Sequence, residues 1–368
     1  MNIAIVTASI GHGHNSVALA LEEKVKSEGR HNVAVFDILE DSRVSQILKS
    51  VYLEMITKTP YLYSKMYQWS QRHRKVSSLT SYFNFICLKN LKNIISDFKP
   101  DVFIFTHPFP ALSYRQSLKI PAWTVITDYS YHPIWYSSQI NGYFVANTDI
   151  KDYLTQSGFP QDFIYETGIP IKDSFFKPEI TEFPNKTVKN TPLILIMGGG
   201  LGLGALSEIV EKLESLDSPF ESIVLTGKNQ ELYNQLNATF KNKRSNRWKA
   251  MSFTNDVPNL MRQADLLISK GGAITLTEAM ASKLPTVIYK PITGHEEENT
   301  RFVCNQEWAK WAETPNDLLQ ITQRLLTTPE ELATMKLKAA ESCIPSSTED
   351  ILETIVNDYQ KPLRRISL

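Results

Sequence analysis

Short apolar runs alternate with amphipathic stretches along most of the chain, and this alternation restricts the fold more than any other feature. Ile3–Thr7, Val33–Phe36, Val102–Thr106, Trp123–Thr127 and Tyr143–Ala146 are rich in β-branched or aromatic residues and bounded by turn residues, as expected of buried strands. The turn Gly11-His12-Gly13-His14 follows the first run, and a helix is expected over Ser16–Glu28. Strands separated by helices imply βαβ units and a parallel sheet. Gly168-Ile169-Pro170 closes this series. The segment 176–190, with Pro178, Pro184 and a polar run, reads as a linker. The pattern then restarts with Leu193–Met197, a glycine loop at Gly198–Gly204 and a helix at Leu206–Leu216. Ser222–Thr226, Leu266–Ser269 and Thr286–Tyr289 supply further strands. With 368 residues the chain is long enough for two cores. The expected class is α/β, with two doubly wound, Rossmann-like domains facing each other across a cleft.

Charge narrows the partners. The 39 basic residues balance 39 acidic ones, which argues against binding nucleic acid through bulk charge. Yet the segment from Val44 to Lys99 holds nine basic residues against Glu54 and Asp97, a local excess of +7. Tyr67, Trp69, Arg72, Arg74 and Lys75 lie at its centre, and such a segment points to an anionic partner. Helical spacing shows in Leu48, Val51, Met55 and in Phe83, Cys87, Leu91, Ile94. Those stripes fit a membrane-facing surface or, equally, a protein core beneath solvated cations. Cys87, Cys304 and Cys343 are too widely spaced for a zinc site and odd in number for a disulfide framework, so a reducing cytoplasm is expected. No run reaches the roughly 18–20 apolar residues of a membrane span. Any membrane contact is therefore expected from the side.

Several motifs sit where α/β proteins bind ligands, at strand ends followed by helices. In the Gly198–Gly204 loop, Gly200 and Gly202 let backbone N–H groups approach an anion at a helix start, although a tight structural turn would look the same. Lys270-Gly271-Gly272-Ala273-Ile274-Thr275 makes a second anion-binding arrangement suited to a diphosphate. Glu278, one turn further, is placed to accept from ribose hydroxyls or to be an ordinary solvated acid. Gly294-His295-Glu296-Glu297-Glu298-Asn299 is either a hexose-hydroxyl reader or a charged helix start. His14 is placed to act as a general base, or is a capping histidine. Asp128, in Thr127-Asp128-Tyr129, is placed to orient an imidazole or to cap a loop, with His132 and Trp135 close behind.

Taken in order, these motifs resemble the diacylglycerol glycosyltransferases: plant-type monogalactosyldiacylglycerol synthases and bacterial processive diacylglycerol glucosyltransferases, in glycosyltransferase family 28. The resemblance spans about residues 2–345. It implies a GT-B fold with an acceptor and membrane-binding domain at 1–175, the linker at 176–190 and a UDP-sugar domain at 191–346. The last segment, 347–368, is expected as a helix that returns to the first domain. It also implies an inverting enzyme with no cofactor beyond its co-substrate, UDP-glucose or UDP-galactose, and no metal in the site. The acceptor would be diacylglycerol, met at the anionic inner face of a membrane, with no nucleic acid involved. His14 and Asp128 would be catalytic. Gly200, Gly202, Phe253 (at the uracil), Lys270, Gly271, Gly272, Thr275, Glu278, His295, Glu296 and Asn299 would hold the UDP-sugar. Tyr67, Trp69, Arg72, Arg74, Lys75, His132 and Trp135 would meet the acceptor or membrane. Two departures stand out: His295 and Glu298 replace a glutamine and a glycine of the family's sugar-reading motif, and Gly271 replaces its alanine, expected to matter little. A UDP-N-acetylglucosamine 2-epimerase-like enzyme and a non-catalytic nucleotide-sugar-binding protein are the alternatives.

Overall fold

The computed structural model describes residues 1–9, 13–39, 78–176, 191–200, 202, 205–241 and 247–359, with the backbone alone for 78–83. All but the first residue of the linker expected at 176–190, and with it Leu48, Val51, Met55, Tyr67, Trp69, Arg72, Arg74 and Lys75, lies outside the described residues. The chain divides into two compact units, Met1–Asp173 with Ile344–Leu368, and Ser174–Cys343. Each is built on one six-stranded parallel sheet.

In the first unit the strands are β1 (Asn2–Thr7), β2 (Asn32–Asp37), β3 (Val102–Phe105), β4 (Ala122–Val125), β5 (Gly142–Val145) and β6 (Ile164–Glu166). Their order is β2-β1-β3-β4-β5-β6. Helices α1 (Gly13–Glu28), α2 (Ser78–Phe98), α3 (Pro108–Ser113) and α4 (Thr148–Gln156) alternate with them. Parallel strands covered on both faces read as unbroken apolar runs, and Ile3, Ile5, Phe103, Phe105, Val125 and Phe144 are accordingly buried. On α2, Cys87, Leu91 and Ile94 are buried as well. That stripe is a core face, and no helix among the described residues is long and apolar enough to cross a membrane.

The second unit contains β7 (Leu193–Met197), α5 (Leu206–Leu213), β8 (Glu221–Leu225), α6 (Gln230–Lys241), β9 (Trp248–Met251) and α7 (Val257–Gln263). It continues with β10 (Leu266–Ser269), α8 (Ala273–Ala281), β11 (Thr286–Tyr289), α9 (His295–Asn305), β12 (Ala309–Ala312), α10 (Pro315–Thr327) and α11 (Pro329–Ser342). The order is β12-β11-β10-β7-β8-β9. Ile194, Ile196, Val224, Leu266, Ile268 and Val287 form its core with Leu206, Val210 and Leu213. The last helix, α12 (Ser347–Tyr359), belongs to the first unit and packs against α1.

Both sheets reverse their winding once. From β1 the chain moves outward to β2, but from β3 it moves the other way, to β4. Likewise β7 leads to β8 on one side while β10 leads to β11 on the other. At such a reversal the two connecting helices leave in opposite directions and open a crevice at the strand ends. His14 falls at the first of these places, and the turns at Gly199 and Lys270 fall at the second.

Candidate active site

In the first unit, His14 lies in the first turn of α1, just beyond β1. Its Nδ1 is 2.7 Å from Thr127 Oγ1, beyond the end of β4. Two rings flank it. His107 meets it edge-on with centroids 4.5 Å apart, and Trp135 lies tilted at 5.9 Å. The tautomer in which Nδ1–H donates to the Thr127 hydroxyl leaves a lone pair on Nε2, the form a general base requires. Asp128 directly follows Thr127 and is half-buried.

His107 follows β3 and caps α3, its Nδ1 accepting from the Phe109 N–H at 3.2 Å. Burial, then repulsion from His14, holds its imidazole well below the ordinary range. His132 repeats the device: it precedes a proline and its Nδ1 accepts from Ile134 N–H at 3.1 Å. Trp135 is buried, and its carbonyl accepts from the Tyr143 hydroxyl at 2.8 Å. His14, Thr127, His107 and Trp135 thus form one cluster, with Asp128 and His132 in the adjoining chain. The sequence reading missed His107. A His-Pro pair at the end of a buried apolar strand, at the winding reversal, was the signal that could have found it.

In the second unit, β7 and β10 are neighbours in register, Met197 opposite Ser269. Past their ends, a Cβ built on Gly199 would lie 3.3 Å from Lys270 Cε, and one on Gly272 3.6 Å from Lys270 Nζ. The lysine side chain therefore runs between the two glycine turns. Its Nζ is ion-paired with Glu296 Oε1, and Glu296 Oε2 accepts from the Ile292 N–H at 2.9 Å. A buried carboxylate needs such partners on both oxygens. Gly202, at φ +61°, packs so tightly on the turn after β8 that a Cβ would overlap the Thr226 carbonyl. Lys228 N–H in that turn donates to the Gly200 carbonyl at 3.1 Å. Gly227 and Lys228 were not singled out in the sequence, although they follow a strand directly.

Phe253, beyond β9, is an exposed aromatic side chain with Lys228 Nζ 5.6 Å from its ring centre. Thr275 and Glu278 are half-buried on α8, and His295 is half-buried at the start of α9. Glu296 and Asn299, expected to meet the sugar hydroxyls, are 2% and 0% exposed. Glu296 holds Lys270, and the Asn299 amide donates to the Gly271 carbonyl at 3.4 Å. One expectation is corrected: the exchange of alanine for glycine at 271, expected to matter little, is not neutral. A Cβ there would overlap the Glu296 carbonyl oxygen and Thr300 Oγ1.

Similarity to known proteins follows the same division. A family described as monogalactosyldiacylglycerol (MGDG) synthase matches residues 14–171, and the glycosyltransferase family 28 C-terminal domain matches 193–353. A processive diacylglycerol beta-glucosyltransferase of Bacillus cereus is 30% identical over 100% of this chain and 96% of its own length. Another, of Bacillus thuringiensis, is 30% identical over 97% and 93%. The chain belongs to the diacylglycerol glycosyltransferases of family 28. This glycosyltransferase has the GT-B fold. MurG of Acinetobacter baumannii superposes with a TM-score of 0.65 at 18% identity, covering 97% of this chain and 99% of that one. A UDP-GlcNAc 2-epimerase from Neisseria meningitidis, bound to UDP-GlcNAc, gives 0.64 at 16% identity over 97% and 100%. These two likenesses speak for the fold alone.

Proposed function

We propose that this glycosyltransferase moves a hexose, glucose or galactose, from a UDP-sugar to the free hydroxyl of diacylglycerol, with inversion and without a metal ion in the site. The observation that carries the proposal is Lys270, set between the glycine turns after β7 and β10. A departing nucleoside diphosphate needs positive charge there, and the lysine together with the N-terminus of α8 supplies it. One ammonium donor goes to Glu296, which fixes the chain, and donor capacity remains for phosphate oxygens. Phe253, with Lys228 beside it, offers a face for the uracil. Glu278 accepts from the ribose, and His295 meets the sugar. Glu296 and Asn299 act through the turn they hold.

The acceptor oxygen attacks the anomeric carbon as the bond from that carbon to the diphosphate oxygen breaks, and the electron pair leaves with UDP. The hydroxyl proton passes to Nε2 of His14, while Asp128 stabilises the resulting imidazolium. A single displacement on an α-linked donor gives a β-glycoside, which agrees with the word beta in the relatives' names. An epimerase reading draws on the shared fold. Incubation with UDP-glucose, UDP-galactose or UDP-N-acetylglucosamine, with and without diacylglycerol, separates the two: lipid-dependent UDP release marks transfer, whereas lipid-independent isomerisation marks an epimerase. His14→Ala is expected to lower kcat by about 10²–10⁴-fold, and near-normal turnover in a folded variant would remove His14 from the mechanism.

The acceptor also requires a lipid surface. The +7 segment between Val44 and Lys99 suits an anionic cytoplasmic leaflet, each cation contributing about 1 kcal/mol near the surface. Flotation with anionic vesicles at low salt is expected to carry the protein upward and to lose it at high salt. Failure to float at low salt would remove the membrane contact from the proposal.

A further inference from the structure

We infer that Glu208 is a positioning residue that sets donor-sugar selectivity: it holds the bend through which β11 runs into the loop that delivers His295 to the hexose. This rests on the proposed reading of Lys270 as the diphosphate seat and of His295 as the residue that meets the sugar.

The bend runs against the preference of its own residues. Lys290, directly after β11, has φ +49°, in the left-handed region that side chains with a Cβ avoid. The other non-glycine residues with positive φ among the described residues are Lys99, Lys119, Lys283 and Glu307. Each of those lies just past the end of a helix, where a left-handed residue is the ordinary stop. Lys290 instead follows a strand. It also precedes Pro291, which favours an extended conformation for the residue before it. A conformation disfavoured twice persists only where its surroundings impose it, and such places gather at functional sites.

Glu208 supplies the constraint. Its Oε1 accepts from the Tyr289 hydroxyl at 2.7 Å and its Oε2 from Lys290 Nζ at 2.5 Å, so one carboxylate grips both residues of the bend. Tyr289 is 2% exposed, and a buried hydroxyl needs such an acceptor. Glu208 itself stands in the first turn of α5, the helix that follows the glycine loop. The far end of the loop is anchored separately. The Ile292 N–H donates to Glu296 Oε2 at 2.9 Å, and Glu296 Oε1 pairs with Lys270. Gly294, at φ +101°, then turns the chain into α9, whose first residue is His295. The loop is thus tied at one end to the lysine of the diphosphate seat and at the other to α5. Removing the Glu208 carboxylate releases the second tie and leaves the first in place.

Glucose and galactose differ only in the direction of one hydroxyl, and telling them apart requires a polar side chain held to about 0.5 Å. Wild type, Glu208→Ala, Glu208→Gln and His295→Ala would be compared by thermal melting, by calorimetric titration with UDP, and by diacylglycerol-dependent UDP release from UDP-glucose and from UDP-galactose. For Glu208→Ala the UDP affinity should be unchanged. Its kcat/KM for the donor that wild type prefers should fall by about 10²-fold, the cost of a misplacement of about 1 Å. The other donor should lose less, so the ratio of the two moves toward one. Glu208→Gln, which keeps one acceptor oxygen, should fall between, and His295→Ala should move the ratio in the same direction. Equal loss on both donors together with weaker UDP binding would mark a purely structural role and overturn the inference. An unchanged ratio in Glu208→Ala overturns it as well, and so does equal use of both donors by wild type. An unchanged ratio in His295→Ala removes the residue through which Glu208 is argued to act, with the same result. Absence of lipid-dependent release by wild type with either donor rejects glycosyl transfer itself, whereas an active, selective wild type beside an equally selective Glu208→Ala rejects only the role of Glu208.

Discussion

Between the end of β10 and the first turn of α9, Gly271 faces the Glu296 carbonyl oxygen and Thr300 Oγ1 so closely that a Cβ would overlap both. The atoms on the far side cannot retreat. Thr300 Oγ1 donates to that same carbonyl at 2.6 Å, and both residues are buried. Gly271→Ala should therefore push the Lys270 turn away from α9 and destabilise the protein by about 1–3 kcal/mol, the usual range for overpacking. Because Lys270 is fixed through Glu296, the KM for the UDP-sugar should rise in the same variant. Thermal melting and donor titration check the two effects, and an unshifted melting temperature would mean that α9 moves freely. Sequence alone suggested that glycine and alanine were interchangeable here, since both are small. Size was legible, but the carbonyl opposite, 25 residues further along the chain, was not. For the same reason His14 and Lys270 could be picked out from their own neighbours, whereas His107 needed β3 to be placed beside β1.

Interior strands announce themselves, and of the four edge strands only β2, expected at Val33–Phe36, did so. Leu193–Met197, Leu266–Ser269 and Thr286–Tyr289 were expected as strands with the bounds that β7, β10 and β11 have. β6, β9 and β12 were missed, and all three are sheet edges. With a strand neighbour on one side only, Trp248–Met251 and Ala309–Ala312 carry Lys249 and Lys310 within their apolar residues, so the continuous run that marks an interior strand is broken. Contacts between elements were equally hidden. Glu208, in the first turn of α5, accepts from the Tyr289 hydroxyl at 2.7 Å and from Lys290 Nζ at 2.5 Å. This ties the helix after the glycine loop to the end of β11. Lys290, and then Tyr289, hold the Glu208 carboxyl below its ordinary range. The unfolded chain therefore takes up the proton first as pH falls. The stabilisation is complete above the ordinary carboxylate range and disappears as pH drops through the lower, folded value. Glu208→Gln should accordingly lower the melting temperature at pH 7 by an amount corresponding to about 1 kcal/mol or less, the scale of an exposed pair. The gap from wild type should close in acid. A gap independent of pH would show that the carboxylate charge contributes nothing.

At the scale of the whole molecule, the first unit is discontinuous in sequence: α12 joins it only after the entire second unit has been made. The helix is firmly seated. Ile351 and Ile355 are fully buried and Leu352 is 6% exposed. The Tyr165 hydroxyl donates to Asp358 Oδ2 at 2.7 Å, which pins α12 to the edge strand β6, and Thr348 Oγ1 donates to the Ile171 carbonyl at 3.3 Å. Near its start, Lys24 of α1 lies 3.7 Å from Glu349. Since α1 also carries His14, the C-terminal helix buttresses the element that positions the proposed base. Burying three such aliphatic side chains contributes about 1.5–3 kcal/mol each. That sum is comparable to the roughly 5–15 kcal/mol by which a native protein is stable at all. A chain ending at residue 346 should consequently lose the first unit while keeping the second. In hydrogen exchange, peptides from β1, β3 and β4 should exchange rapidly, while those from β7, β8 and β10 stay protected. Lipid-dependent UDP release should disappear, whereas binding of UDP, for which the Lys270 and Phe253 elements are proposed, should persist. Protection of β1 in the shortened chain would show that the sheet stands without α12, and the loss of catalysis would then have to be traced to the displaced α1 alone.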